Sequence, residues 1–332
     1  MRAPHLVPLP PSPVSPEVLT RAETLGGAFE ELARRHPDHA CLAILDRHWQ
    51  ETRTTFGRLH RDAKAVQQAL EARGTEPGDT VLLVFPTCMD LVAGYFGVLL
   101  AGGVPAILAT PSHRVADLDV YREHLGQILA NAGARVLYCE DEVARLFAGE
   151  SAGSLAGASV LQPSQVEPSS PLPGTRHVSP SDVGTIQYSS GSTGEPKGVL
   201  LEHRAILNHV RSLREGLGIT PADVSVDWIP LYHDMGLIDA FLLPLLAGCP
   251  TVLIPTMDFL REPGLWLHGI DRYRGTLSWS PNFGYSLCAK RLRGDELDGL
   301  DLSSWRLAMS AAEPERSSPS SSSPRRRFAH SE

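Results

Sequence analysis

The string YSSGSTGEPKG at positions 188–198 restricts this chain to folds that can present a glycine-rich anion loop from a sheet. Ser189, Ser190, Ser192 and Thr193 surround Gly191 and Gly194, and Lys197 stands between Pro196 and Gly198. Glycines let backbone N–H groups approach an anion closely, hydroxyls add donors, and a lysine adds a mobile positive charge. Those are the components of a phosphate cradle. A Walker A loop would need a glycine directly before Lys-[Ser/Thr] at the mouth of a helix; here Pro196 precedes the lysine and Gly198 follows it. Residues 183–188 (VGTIQY) and 199–201 both suit strands, and the helical pattern begins only with Ile206, Val210, Leu213 and Leu217. The spacing predicts a strand–loop–strand hairpin that clamps phosphates with its tip. A plain Ser/Gly surface loop is the competing reading, and the placement of Pro196 and Lys197 weighs against it.

Helix and strand patterns alternate along much of the chain. Residues 24–36 read as a helix stopped by Pro37, 40–45 as a strand, and 54–74 as a longer helix with Leu59, Ala63, Val66 and Leu70 on one face. A strand at 80–85, a helix at 89–101 and a strand at 104–108 follow, then a helix at 122–132 and a strand at 134–138. Such alternation predicts an α/β fold with mostly parallel sheets flanked by helices. Residues 1–20, with their many prolines, read as a disordered lead-in, 149–181 as a Ser/Gly/Pro-rich loop or linker, and 315–332 as a low-complexity tail. Gly149, Ser151 and Gly153 match G-x-S-x-G, but no strand or helix is legible around them, so the match is chance.

After the phosphate loop a strand at 224–229 runs into LYHDMGLI at 231–238, which opens a helix through Leu246. His233 and Asp234 fall where a strand ends, the edge at which open α/β sheets bind ligands, although a His-Asp pair is more often a local cap. A strand at 250–254, a second at 276–278 leading into SPNF at 280–283 and a helix to Leu292, and a last strand at 306–309 ending in SAAEP complete the pattern.

Composition narrows the function. Hydrophobic content of 42% with 20% charged residues fits a globular chain. A net charge of −8 argues against nucleic acid as the main partner. The five cysteines are scattered and never form CxxC, which points to a reducing, cytoplasmic setting with inert thiols. The apolar run 91–108 is interrupted by Gly102, Gly103 and Pro105, too soon for a membrane span. No residue set suggests a protein-held metal.

The 188–198 string resembles the phosphate-binding motif of the acyl-adenylate-forming (AMP-binding) superfamily, and YHDMG with SPNF resembles its fatty acyl-AMP ligase branch. The resemblance covers about 24–314. It implies a large N-terminal adenylation domain over 21–314, truncated and without the small C-terminal domain, and an ATP-dependent ligase that forms acyl-AMP and pyrophosphate. It further implies Mg²⁺ with the nucleotide, a fatty acid substrate, and hand-over to an acyl carrier protein or a polyketide or peptide synthase. On this resemblance Ser189, Ser190, Gly191, Ser192, Thr193, Gly194 and Lys197 hold phosphates, with Ala312 and Glu313 near adenine. His233 and Lys197 act in catalysis, and His233, Asp234, Met235, Gly236, Asn282 and Phe283 form the acyl pocket. The family more often has glycine where Ala311 stands. Its Mg²⁺ carboxylate, ribose-gripping aspartate and catalytic lysine lie beyond the resemblance, so turnover by this chain alone is doubtful, and the tail reads as foreign to the fold.

The chemistry suits these residues. A fatty acid is already ionised at neutral pH, so adenylation needs no general base; it needs two anions held together and charge spread at phosphorus. An acyl-CoA synthetase on the same fold and an inactive remnant that at most binds nucleotide remain the alternatives.

Overall fold

The computed structural model describes residues 9–10, 12–14, 17–111, 118–147, 155, 157–167, 170–189 and 196–311. The chain begins with α1 (Glu17–Arg21), α2 (Leu25–Arg35), β1 (Ala40–Leu45), β2 (Glu51–Thr55), α3 (Phe56–Glu71), β3 (Thr80–Val84), α4 (Met89–Leu100) and β4 (Val104–Leu108). It continues through α5 (Leu118–Ala132), β5 (Val136–Cys139), α6 (Asp141–Arg145), β6 (Ser159–Leu161), β7 (Val183–Ser189), β8 (Lys197–Glu202) and α7 (His203–Gly216). Then come β9 (Ser225–Asp227), a π-helical stretch (Met235–Leu242), α8 (Leu243–Leu246), β10 (Thr251–Leu253), α9 (Thr256–Arg261) and α10 (Gly264–Tyr273). The last elements are β11 (Leu277–Pro281), α11 (Asn282–Arg291), α12 (Gly294–Leu297) and β12 (Leu307–Ala311). Threonine caps open two of the longer helices: Thr24 Oγ1 accepts the N–H of Gly27 at 3.1 Å, and Thr55 Oγ1 that of Arg58 at 3.2 Å. Each satisfies a donor that a first turn leaves unpaired.

The strands form a six-stranded sheet, order β12-β11-β9-β10-β1-β2, a four-stranded sheet, order β4-β3-β5-β6, and the pair β7-β8. Both larger sheets are built on parallel pairs, as the alternation of helix and strand predicts. Two compact units divide the chain: Met1–Pro13 with Ala40–Arg53 and Ile219–Glu332, and Val14–His39 with Thr54–Gly218. The first has its core around Val226, Trp228, Val252 and Trp266, and the second around Leu82, Val84, Leu137 and Leu129. Among the described residues no helix is long and apolar enough to cross a membrane.

Several expectations need correction. Part of the stretch expected to be a disordered lead-in is ordered. Leu9, Val14, Val18 and Leu19 are buried, and α1 ends against Arg211, whose guanidinium donates to the carbonyls of Leu19 and Ala22. The supposed linker 149–181 contributes β6, which pairs with β5; three residues are too few to display a strand period. Further on, Arg176 N–H donates to Leu100 O at 2.9 Å, while the side chains of Gln67 and Lys64 donate to Gly174 O and Thr175 Oγ1 at 2.7 and 2.6 Å. These bonds fasten that segment to α3 and α4. The G-x-S-x-G match at 149–153 lies outside the described residues. β2, ETRTT, is an edge strand with no apolar alternation to betray it. The helix expected up to Leu246 is π-helical over Met235–Leu242. Pro244 has no N–H to return to the preceding turn, and Leu243 N–H donates five residues back, to Ile238 O.

Candidate functional site

In the second unit β7 and β8 pair antiparallel, from Val183 opposite Glu202 to Ser189 opposite Lys197. Ser190, Gly191, Ser192, Thr193 and Gly194 lie outside the described residues, as do Ala312 and Glu313, and the side chain of Ser189 is likewise outside them. Lys197 is exposed at the mouth of this hairpin. Its base is braced. The ring of Tyr188 crosses Gly198, where a Cβ would fall 2.8 Å from Ile186 Cγ2 and 3.1 Å from Tyr188 Cζ. The Tyr188 hydroxyl donates to Asn131 Oδ1 at 3.2 Å, and Thr185 Oγ1 donates to Pro105 O at 2.8 Å, tying the hairpin to β4.

In the first unit three of the sequence strings leave one edge of the six-stranded sheet. β9 leads into Leu231–His233, β11 into Asn282 and Phe283, and β12 ends at Ala311; the three strands are neighbours and parallel. From β9 the chain passes to β10 on one side and then to β11 on the other, a topological switch of the kind at which open sheets bind ligands.

The seam between β9 and β11 is unusual there. Their ladder has a single register pair, Leu277 opposite Ser225. Beyond it side chains take over. Ser278 Oγ donates to Val226 O at 2.8 Å, and Trp266 Nε1 approaches the same carbonyl at 3.1 Å. Trp279 N–H donates to Asp227 Oδ1 at 2.7 Å, and Ser225 Oγ donates to Asp227 Oδ2 at 2.6 Å. Asp227 is wholly buried, and burial pushes its carboxyl up to about 7; the bonds from Ser225, Trp279 and Ser278 pull it back down, and Asp239 raises it further. Sequence reasoning did not single out Asp227. The available signal was a charged residue inside a strand pattern, VSVDW.

His233 Nδ1 lies 2.7 Å from Asp234 Oδ1, and both side chains are exposed, at 44% and 70%. Asp234 also accepts the N–H of Met235 at 2.7 Å, so it caps the π-helical stretch. Among the described residues His233 Nε2 makes no hydrogen bond. Met235 and Gly236 are buried. Gly236 is required by a close approach, since a Cβ there would lie 2.1 Å from Pro230 O.

Asn282 and Phe283 start α11 and are exposed. The Phe283 ring meets Trp228 edge-on at 5.5 Å, and Trp228 stacks on Phe259 at 3.9 Å. The indole passes over Gly284, where a Cβ would fall 2.5 Å from Trp228 Cζ2. Tyr232 and Phe283, 40% and 44% exposed, give this edge apolar surface next to an imidazole. Such surface suits an alkyl chain.

A separate open cleft of about 540 Å³ in the second unit is lined by Phe85, Cys88, Asp90, Glu140, Asp141 and Arg145, none of them foreseen as site residues. The five cysteines are free, and burial pushes the Cys88 thiol up to about 12. No group of three His, Cys, Asp or Glu residues among the described residues is placed to hold a metal ion.

The chain is similar to several known proteins. A Caulobacter vibrioides protein provisionally named an acyl-CoA synthetase is 38% identical over 258 residues, 76% of this chain and 44% of its own length. The medium-chain-fatty-acid–[acyl-carrier-protein] ligase JamA of Moorena producens is 32% identical over 268 residues, 79% of this chain and 44% of its own. A fatty acyl-adenylate ligase from L. pneumophila, solved with acyl adenylate and pyrophosphate, superposes with a TM-score of 0.82 at 29% identity, over 90% of this chain and 51% of that one. The chain spans about half the length of the curated relatives it matches. The model of AMP-binding enzymes matches residues 29–321, and the chain belongs to that family.

Proposed function

We propose that this chain is the N-terminal part of a ligase that uses ATP to convert a fatty acid to acyl-AMP, releasing pyrophosphate, for transfer to an acyl carrier protein in lipid, polyketide or lipopeptide assembly. The observation that carries the reading is the shared edge. YHDMG and SPNF leave the carboxyl ends of two adjacent parallel strands, beside exposed Tyr232 and Phe283, and the next strand, β12, ends alongside them at Ala311. The relatives named fatty-acid ligases support the same reading.

In this reading Asn282 and Phe283 bound the acyl chain, each buried methylene contributing about 0.8 kcal/mol. His233, held by Asp234, lies by the reacting carboxylate, with Met235 and Gly236 shaping the turn beneath it. The loop from Ser189 to Gly194 receives the β- and γ-phosphates, Lys197 supplies the cation at its mouth, and Ala312 and Glu313 approach adenine. An exposed lysine at the end of an antiparallel strand pair, following a Ser/Gly-rich string, fits a triphosphate. Mg²⁺ bound to nucleotide keeps several waters and takes one or two carboxylates, so it needs no protein cage. Free cysteines fit a cytoplasmic enzyme.

The name of the Caulobacter relative favours a second reading, an acyl-CoA synthetase. The complete gene product, incubated with ATP and dodecanoate and then offered CoA or carrier protein, distinguishes them: acyl-carrier protein as the main product is expected, and acyl-CoA rejects the first reading.

A further inference from the structure

Asp227 occupies a position that a backbone ladder would normally fill. Parallel neighbours in a sheet are held by evenly spaced backbone bonds, yet β9 and β11 are held past Ser225 by side chains, with the carboxylate taking the Trp279 N–H. A carboxylate inserted between two strands sets them further apart than a direct ladder does, at the strand ends that carry Trp228–His233 on one side and Asn282–Phe283 on the other. We propose that Asp227 is the positioning residue for the fatty-acid end of the site: its side chain fixes the separation of β9 and β11, and with it the placing of His233 against Phe283. The proposal rests on the acyl reading of that edge.

Three groups bound the chemistry. Ser225 Oγ and Trp279 N–H donate to the carboxylate, and Ser278 Oγ stands 3.4 Å from Oδ1. The titratable groups facing it are Asp239 on the π-helical stretch and the Tyr285 hydroxyl on α11, which is itself held by Met309 O at 2.8 Å. An ionised carboxylate accepts from every donor at once, whereas the neutral acid must give one bond back. The serine hydroxyls can rotate to receive it; the Trp279 amide cannot. With the proton on Oδ2 against Ser225 Oγ, Oδ1 still accepts the Trp279 N–H but as a neutral and weaker acceptor, so the seam bond differs in strength between the two forms; both are populated near neutral pH, since burial raises the carboxyl to about 7.

The test follows the Trp279 amide in the full chain labelled with ¹⁵N-tryptophan. The chain has only five tryptophans, so the signal is assigned with Trp279→Phe. The titration runs between about pH 5.5 and 8.5 in wild type, Asp227→Asn and His233→Gln, with dodecanoate binding measured by calorimetry at both ends. We expect the Trp279 amide to titrate with a midpoint near 7 in wild type and His233→Gln and to stay flat in Asp227→Asn. Dodecanoate affinity changes at least about threefold across the range in wild type and not in Asp227→Asn. A Trp279 amide that is flat in wild type, or that still titrates in Asp227→Asn, overturns the proposal, as does a pH-independent dodecanoate affinity in wild type. If Asp227→Asn does not fold, wild type and His233→Gln decide by the same criterion. An amide that titrates as expected in a chain that binds no dodecanoate at either pH overturns the acyl reading and leaves the seam standing, so the two failures are distinct.

Discussion

Asp223 and Arg306 form a two-pronged ion pair, Nε to Oδ1 and Nη2 to Oδ2, both at 2.8 Å. Asp223 is 5% exposed and also accepts Thr276 Oγ1 at 2.7 Å and the N–H of Thr220 at 2.9 Å. One carboxylate thus joins the residues that precede β9, β11 and β12, at the edge opposite the site. Removing one partner of a buried pair costs about 3–5 kcal/mol, and partial hydration of this guanidinium lowers the expectation for Asp223→Ala to about 2–3 kcal/mol. Urea unfolding of the chain measures it. Arg306→Lys loses the fork but keeps the charge, so a smaller loss is expected; equal midpoints for wild type and Asp223→Ala contradict the assignment.

Two carboxylates make stability depend on pH in opposite senses. Glu30 is held down at about 2, chiefly by His60, whose Nε2 stands 3.6 Å away, with Thr175 and Lys64 adding to it against the effect of burial. Its contribution is complete above the unfolded value of 4.5 and is lost as pH falls from there toward 2. Asp227 is raised from 3.8 to about 7, so the native state favours its proton, and the stability it supplies at low pH is lost as pH rises through that interval. Urea midpoints across this range should fall less steeply toward acid in Glu30→Gln, and fall less toward pH 7 in Asp227→Asn.

Gly284 is where the first turn of α11 passes over Trp228. A methyl there would meet Ser280 Oγ at 2.3 Å and Trp228 Cζ2 at 2.5 Å. Gly284→Ala must displace the indole from its stack on Phe259, and overpacking of this kind costs about 1–3 kcal/mol. Thermal melts read the loss and indole fluorescence reads the displacement; an unchanged emission maximum contradicts the packing argument.

Phe283 and Lys197 are exposed, so their truncation tests ligand chemistry without endangering the fold. Lys197→Ala should lie within about 0.5 kcal/mol of wild type in urea, and Phe283→Ala should lose no more than about 1.5 kcal/mol, the worth of its edge-on contact with Trp228. Saturating ATP should raise the wild-type melting temperature by mass action and raise that of Lys197→Ala less. Dodecanoate binding should weaken in Phe283→Ala alone. An ATP shift unaffected by Lys197→Ala removes the lysine from the nucleotide site.

Much of the fold was legible because its punctuation is local. Thr24 and Thr55 mark helix starts, Pro37 a stop, and the strings either side of the Ser/Gly-rich stretch predicted the strand pair whose register ends at Ser189 and Lys197. What escaped depends on partners distant in sequence. β6 is a strand because β5 lies beside it, β2 is a polar edge, and Pro244 reshapes a helix that its apolar period could not distinguish from an ordinary one. In the proposed site, His233, Asn282 and Phe283 came from motifs at strand ends. Asp227 did not, because its role arises from a strand paired 52 residues away.

The side-chain seam has a mechanical consequence. A sheet zipped by backbone alone resists shear along its whole width, whereas past Ser225 the resistance between β9 and β11 rests on a few side-chain bonds of Ser278 and Asp227. Amide exchange should accordingly report two cooperative blocks in this one sheet, β9-β10-β1 and β11-β12, opening with different free energies. A change of residue at one position would then retune the spacing of the β9 and β11 ends without rebuilding any strand.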